Sequence, residues 1–213
     1  MAHRHFSSRR QILSAGIGAA VAGLAAGPAR ALPQQGLAAA AQTVNPVLVA
    51  RASDALARYN QVIWSRDVIA IADFGLPSSQ PRLHIVDILR NQTISFLVAH
   101  GKGSDPDYTG TLQRFSNEMG SQATSEGAYL TGELYTGVHG LSRRLTGLDP
   151  TNNLAEERAI VIHSAKYADP TVVATQGKLG RSDGCFAVSE HDIYFLLGRL
   201  GEGRLLYAGR AEG

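Results

Sequence analysis

The 213-residue sequence predicts a mostly β fold, a sandwich or barrel carrying a few short helices. Three observations carry that prediction. Short β-branched and apolar runs recur along the chain, bounded by glycine, proline or asparagine. Helix signals are confined to three places: after Asn45, after Asp169 and after Ser189. No strand–helix alternation of the kind that builds a parallel sheet joins them.

The first segment stands apart from this pattern. Residues 1–31 run from the basic start His3-Arg4-His5 through "SSRRQIL" to the Ala/Gly-rich "SAGIGAAVAGLAAGPARA", and they read as an export signal cleaved near Ala31. Arg9-Arg10, preceded by Ser8 and followed by Gln11, Ile12 and Leu13, resembles the twin-arginine type. The apolar stretch is broken by glycines and ends at Pro28, so it falls short of the ~20 strongly apolar residues of a membrane anchor. The signal also explains the basic balance. The whole chain has a formal charge of +2, from 20 Lys+Arg against 18 Asp+Glu. Residues 1–31 hold four arginines and no acid, so cleavage leaves 16 against 18, and nothing in this balance suggests a nucleic-acid surface.

Residues 32–44, "LPQQGLAAAAQTV", read as a flexible linker. Asn45-Pro46 starts an N-terminal helix within residues 45–65, with Val47, Leu48, Leu56 and Tyr59 as its apolar stripe. From residue 66 to 213 the strand rhythm takes over. "RDVIAIADF", "RLHIVDIL" and "QTISFLVAH" are strands, the last two joined by a turn at Arg90-Asn91. A polar, glycine-rich passage from Gly101 to Gly127 forms loops. "AYLTGELY", "GVHGLSRRLTGL" and "RAIVIHSA" give three more strands, and a short helix runs from Asp169-Pro170 to Gly177. "SEHD" at 189–192 is a capping box for a helix with Ile193, Leu196, Leu197 and Leu200 on one face, closed by Gly201. "GRLLYAG" is the final strand.

Chemistry centres on Cys185, the one cysteine of the chain, in "GRSDGCFAV". In an exported protein structural cysteines come in pairs, so an unpaired one is a reactive thiol, an intermolecular bridge or a small buried hydrophobe. Gly184 gives the backbone freedom for a tight turn whose N–H groups converge on an oxyanion. A thiolate needs a base or cationic partner. His163 ends the apolar run "RAIVIHS" and precedes Cys185 by 22 residues, room for a short helix and a return loop. His100 and His139, each before a glycine near a strand end, compete with it. His84 lies within a strand and His191 in a capping turn.

"IVIHSAKY…GKLGRSDGCFAV" resembles the L,D-transpeptidase catalytic domain (YkuD-like), with its histidine followed by serine-x-glycine-cysteine. "VAHGKGS", "GAYLTGELYTGVHGLSRRLTGLD" and "ERAIVIH" extend the resemblance over roughly residues 66–209, toward the murein branch of that family. The resemblance implies the family's β-sandwich with Cys185 as nucleophile, His163 as general base, Ser182 as the motif serine and Gly184 shaping the oxyanion turn. It implies peptidoglycan stem peptides as partners, no metal and no organic cofactor. The reaction implied is attack on the third residue of a tetrapeptide stem, release of D-alanine, a thioester, and a 3→3 cross-link on transfer to an amine.

Two positions depart from the family pattern. Asp183 stands where histidine or tryptophan is common, and a carboxylate beside the sulfur disfavours the thiolate unless it faces solvent or pairs with Arg181. "FAV" after Cys185 lacks the usual Arg or Asn, so Arg144 is the candidate for a substrate carboxylate, with His139 lining the same cleft. Alternatives stay open. A thiol hydrolase of the L,D-carboxypeptidase type would resolve the same acyl-enzyme with water, and a degenerate member would only bind the envelope. A zinc site of Cys185, His163 and His139 lacks the close ligand pairs of such sites, and HExxH is absent.

Overall fold

The computed structural model describes residues 34–211. The expected export signal lies outside the described residues. In chain order the elements are α1 (Gln34–Ala40), α2 (Pro46–Arg58), β1 (Val68–Asp73), β2 (Leu83–Asp87), β3 (Gln92–Phe96), β4 (Gly127–Gly137), β5 (Gly140–Gly147), β6 (Val161–Ser164), α3 (Pro170–Gln176), β7 (Phe186–Val188), α4 (Ile193–Arg199) and β8 (Leu205–Gly209). The fold is mostly β. No described helix is long and apolar enough to cross a membrane.

The eight strands form one sheet in the order β3-β2-β1-β8-β4-β5-β6-β7. Neighbours run antiparallel except β1–β8 and β6–β7, which are parallel. The sheet curls until its two halves face each other across one core. Phe186 of β7 packs against both Phe74, just after β1, and Tyr129 of β4, with ring centroids 5.9 and 5.5 Å away. Alternate residues of each strand supply this interior: Val68, Ala70 and Ala72 from β1, Leu83 and Ile85 from β2, Leu206 and Ala208 from β8. Helix α4 adds Ile193, Leu196 and Leu197 to it. Beyond β3 the chain turns back to β7, where Ala99 bridges Ala187, and so joins the two edges of the sheet.

A second apolar layer covers the outer face of β1, β8 and part of β4. Helices α1 and α2 bring Leu37, Leu48, Val49, Ala52 and Ala55 onto Ile69, Ile71, Ala128, Leu205 and Tyr207. This corrects the linker reading of residues 32–44. From Gln34 onward the segment is helix and turn, with Leu37, Ala40, Ala41 and Val44 buried, because its alanines let the chain lie flush on the sheet. The α2 stripe also differs from expectation. Leu48, Val49, Ala52 and Ala55 face the sheet, Leu56 and Tyr59 are partly buried beside it, and Val47 is exposed. The start of α2 follows its capping chemistry: Asn45 Oδ1 accepts from the Val47 N–H at 3.0 Å, and Pro46 occupies the first turn.

Three details differ nearer the thiol. Val138 and His139, expected within a strand, form the turn between β4 and β5, because Gly140 takes φ +75° and reverses the chain. "QTISFLVAH" splits at Phe96, its end serving as the bridge to β7. Strand β7 is only three residues long, too short for any alternation to announce it, yet it fixes the ladder beside the cysteine.

Candidate active site

β6 delivers His163 and β7 delivers Cys185 to the same face of the sheet. Their register is parallel, Ile162 beside Phe186 and His163 beside Ala187. Ile162 and Phe186 point into the core, so His163 and Ala187 point out, and one step back places Cys185 level with Val161 on that outward side. The sulfur itself lies 3.5 Å from the Ala159 carbonyl oxygen. The Cα atoms of Cys185 and His163 are thus separated by one strand spacing and two residue rises, about 8 Å, a diagonal that a histidine side chain spans.

The environment selects the state of each partner. His163 is buried, and its Nδ1 lies 2.8 Å from the Ser164 carbonyl. A carbonyl only accepts, so Nδ1 carries the proton and Nε2 is left as the basic nitrogen. Burial and the neighbouring His139 push its pKa below the ordinary 6.5, so the ring is neutral at pH 7. Burial likewise pushes the Cys185 thiol up, and Asp183 adds to that shift, while the Val161 N–H and Arg158 oppose it. The resting pair is a thiol beside a neutral imidazole. The rings of His139 and His163 stack, centroids 4.2 Å apart at 21°, so the β4–β5 hairpin tip lies over His163.

Ser182 and Gly184 build the turn before the sulfur. Ser182 Oγ donates to the Cys185 carbonyl at 2.7 Å and accepts from the Gly184 N–H at 3.1 Å. Gly184 therefore shapes the turn rather than offering its own N–H to a ligand. It has φ +121°, and a Cβ there would stand 2.9 Å from the Ala123 carbonyl oxygen. Gly101 comes equally close, since a Cβ on it would fall 2.8 Å from the Gly184 Cα. The Ser182 N–H bonds the His100 carbonyl at 2.9 Å, so the strand end at His100 anchors the same turn.

Asp183 turns away to solvent. Its side chain is 63% exposed and pairs with Lys102 Nζ at 3.0 Å, with Gln122 Nε2 donating at 3.1 Å. Arg181 is not its partner: that guanidinium donates to the Asp105 and Pro106 carbonyls and lies over the Tyr108 ring. Arg144 shares the outward face, level with Val161, but its Nε is 3.1 Å from Glu133 Oε1 and its guanidinium covers Tyr135. A substrate carboxylate would have to displace Glu133. The cation that acts on Cys185 is Arg158, which the sequence reading passed over although it opens the run leading to His163. Tyr167 was also missed. Its ring packs with Ala99, Leu179 and Ala187 under the site, and it too feels the charge of Cys185.

The other histidines are accounted for. His100 is enclosed between Arg82 Nη2 at 2.7 Å and Asp105 Oδ2 at 3.4 Å. His84 is buried with Nδ1 2.8 Å from Ser95 Oγ, and His191 is exposed ahead of α4. Among the described residues no group of three or more His, Cys, Asp or Glu side chains is placed to hold a metal ion. A cavity of about 720 Å³ opens beside the histidine stack, lined by His139, Leu141, Lys166, Tyr167, Glu190 and Tyr194 among others.

The family described as the L,D-transpeptidase catalytic domain matches residues 40–208. A search of curated proteins finds no significant match. Among solved structures, an L,D-transpeptidase from Mycobacterium smegmatis is similar at 14% identity and TM-score 0.41, covering 67% of this chain and 58% of that one. L,D-transpeptidase 3 from Mycobacterium tuberculosis is similar at 14% identity and TM-score 0.43, covering 68% and 61%. One from Xylanimonas cellulosilytica, also 14% identical with TM-score 0.39, covers 74% and 69%. The chain thus spans less than two thirds of the mycobacterial proteins. The family match extends from the end of α1 to β8 and includes both the strand that carries His163 and the turn that carries Cys185, so the chain belongs to the L,D-transpeptidase catalytic-domain family.

Proposed function

We propose that this protein is an exported peptidoglycan L,D-transpeptidase that works through Cys185. The observation that carries the proposal is the shared outward face of Cys185 and His163, with the His163 Nδ1 proton fixed on the Ser164 carbonyl and Nε2 left basic. With the thiol and imidazole both neutral, attack is a general-base step. His163 Nε2 takes the thiol proton as sulfur bonds to the carbonyl carbon of the third stem residue. Charge on the carbonyl oxygen is met by the Cys185 N–H, since the Ser182 and Gly184 N–H groups are spent within the turn. Collapse breaks the C–N bond to D-alanine, whose nitrogen recovers the proton from His163, and a thioester remains. The amine of a second stem then loses a proton to the same nitrogen, attacks the thioester and releases the thiol, giving a 3→3 cross-link. The cavity beside His139, with Lys166 and Glu190 on its walls, offers opposite charges to a zwitterionic side chain.

Incubating the full chain with purified stem tetrapeptides tests this directly. Intact mass should show an adduct of the stem less D-alanine on Cys185, and the products should include cross-linked dimers. Tripeptide alone would assign the hydrolase reading instead. No adduct at neutral pH, together with thiol alkylation unaffected by His163→Ala, would leave only an envelope-binding role.

A further inference from the structure

We propose that Arg158 is a positioning residue for Cys185: it holds the 116–125 loop against the cysteine turn and supplies the cation that stabilises the thiolate. The inference rests on Cys185 being the nucleophile.

Geometry places Arg158 at the turn from two sides. Along the chain it precedes Ala159, a non-glycine residue held at φ +52°, whose carbonyl oxygen stands 3.5 Å from the Cys185 sulfur. Such a conformation disfavours alanine and persists only where the surroundings impose it. Through space, Arg158 Nη2 would lie 3.4 Å from a Cβ on Gly184, so the guanidinium rests against the residue before the nucleophile. Its donors are spent on the loop. Nη1 bonds the Ser116 carbonyl at 2.8 Å and also Ser125 Oγ, while Nη2 bonds Ser121 Oγ at 3.2 Å and the Ala123 carbonyl. That loop in turn supports the cysteine turn, because the Ala123 carbonyl oxygen is the atom Gly184 leaves room for.

All of these acceptors are neutral. No carboxylate forms an ion pair with Arg158 among the described residues, although the side chain is partly buried. Every other charge near the sulfur is committed or neutral. Asp183 is paired with Lys102, Arg181 donates to the Asp105 and Pro106 carbonyls, and Arg144 is held by Glu133. His163, neutral at pH 7, stacks on His139, and the Tyr167 and Tyr129 phenols have pKa values raised by burial. A partly buried guanidinium held by neutral acceptors keeps its full charge with no anion paired to it, and such a charge beside the turn favours a thiolate when one forms.

The pH dependence of Cys185 alkylation by iodoacetamide in the full chain is the test. Arg158→Gln should raise the thiol pKa by about one unit or more, roughly tenfold less thiolate at pH 7, whereas Arg158→Lys keeps the charge and most of the reactivity. A purely structural role would leave the thiol pKa of both folded variants at the wild-type value, and that result overturns the inference. Should Arg158→Gln not fold, the wild type decides alone. Anionic iodoacetate should then gain on neutral iodoacetamide relative to free cysteine, with the gain falling as salt is added. A ratio at or below that of free cysteine overturns it. Acylation by the tetrapeptide is read separately. An Arg158-dependent thiol in a protein that never acylates sinks the proposed function alone, and acylation with an Arg158-independent thiol pKa sinks this inference alone.

Discussion

Two buried histidines, each near the end of a strand, differ in how their ring nitrogens are spent. At the first, His100 has a donor or acceptor on each ring nitrogen, Arg82 on Nδ1 and Asp105 on Nε2. Arg82 is fully buried, donating to the Val98 and Leu76 carbonyls as well, and burial brings its pKa down to about 9. Burial and that cation push His100 down to about 4. At the second, His163 spends one nitrogen on a carbonyl and keeps the other, beneath an aromatic stack that leaves a cavity alongside. Burial alone therefore does not mark a catalytic histidine. What distinguishes the two is a ring nitrogen left without a hydrogen-bond partner among the described residues, on the face of the sheet that also carries Cys185.

The comparison breaks most visibly at the nucleophile. Cys185→Ala should abolish acyl-enzyme formation by intact mass while leaving the melting temperature close to wild type, since a small side chain replaces a small one. A large loss of stability would return the thiol to the role of core filler. His163→Ala should lower turnover by ~10²–10⁴ with the protein folded. His100→Leu should do the reverse, costing about 1–3 kcal/mol of stability from the partners it strands, with activity per folded molecule retained. Equal activity losses in the two variants would erase the distinction drawn between the two histidines.

Acid should separate them further. His100 in the native state resists protonation down to about pH 4, whereas unfolded histidine takes a proton near 6.5. Below pH 6.5 the unfolded chain binds more protons, so stability falls with pH and levels off below about 4. The loss is about 3 kcal/mol in urea titrations. His163 must be neutral to act, and its pKa is depressed, so the acid limb of kcat/KM should have its midpoint below pH 6.5. A midpoint above 7 would contradict the depressed base. The smallest effect expected is at Asp183. Because it is exposed and paired with Lys102, Asp183→Asn should speed Cys185 alkylation at pH 7 only about twofold. A tenfold gain would mean that this carboxylate governs the thiol.

Residues whose partners are local in sequence were legible. His163 stands at the end of an apolar strand run, and the Ser182–Cys185 turn is written in four consecutive residues. Arg158 was not legible, because its acceptors lie 33–42 residues upstream in a polar loop with no periodic pattern. Helix α1 was hidden for a different reason: alanine-rich segments look alike whether they link domains or lie flush on a sheet, and only Leu37 and Val44 mark the difference. Arg144 looked available because sequence cannot show Glu133 across the β4–β5 ladder. Asp183 looked threatening because its escape depends on Lys102, 81 positions away.

The bridge from Ala99 to Ala187 gives the thiol an unusual address. Cys185 sits at the seam where a rolled sheet meets its own other edge, between the two bridges, Ala99–Ala187 and Gly101–Ser182, that shut it. A chain with seven strands in place but the seam open would carry the cysteine and the histidine without the turn that joins them. The place of the thiol therefore depends on contacts made across that seam, and a substitution that loosens the seam should disturb the cysteine turn before the body of the sheet.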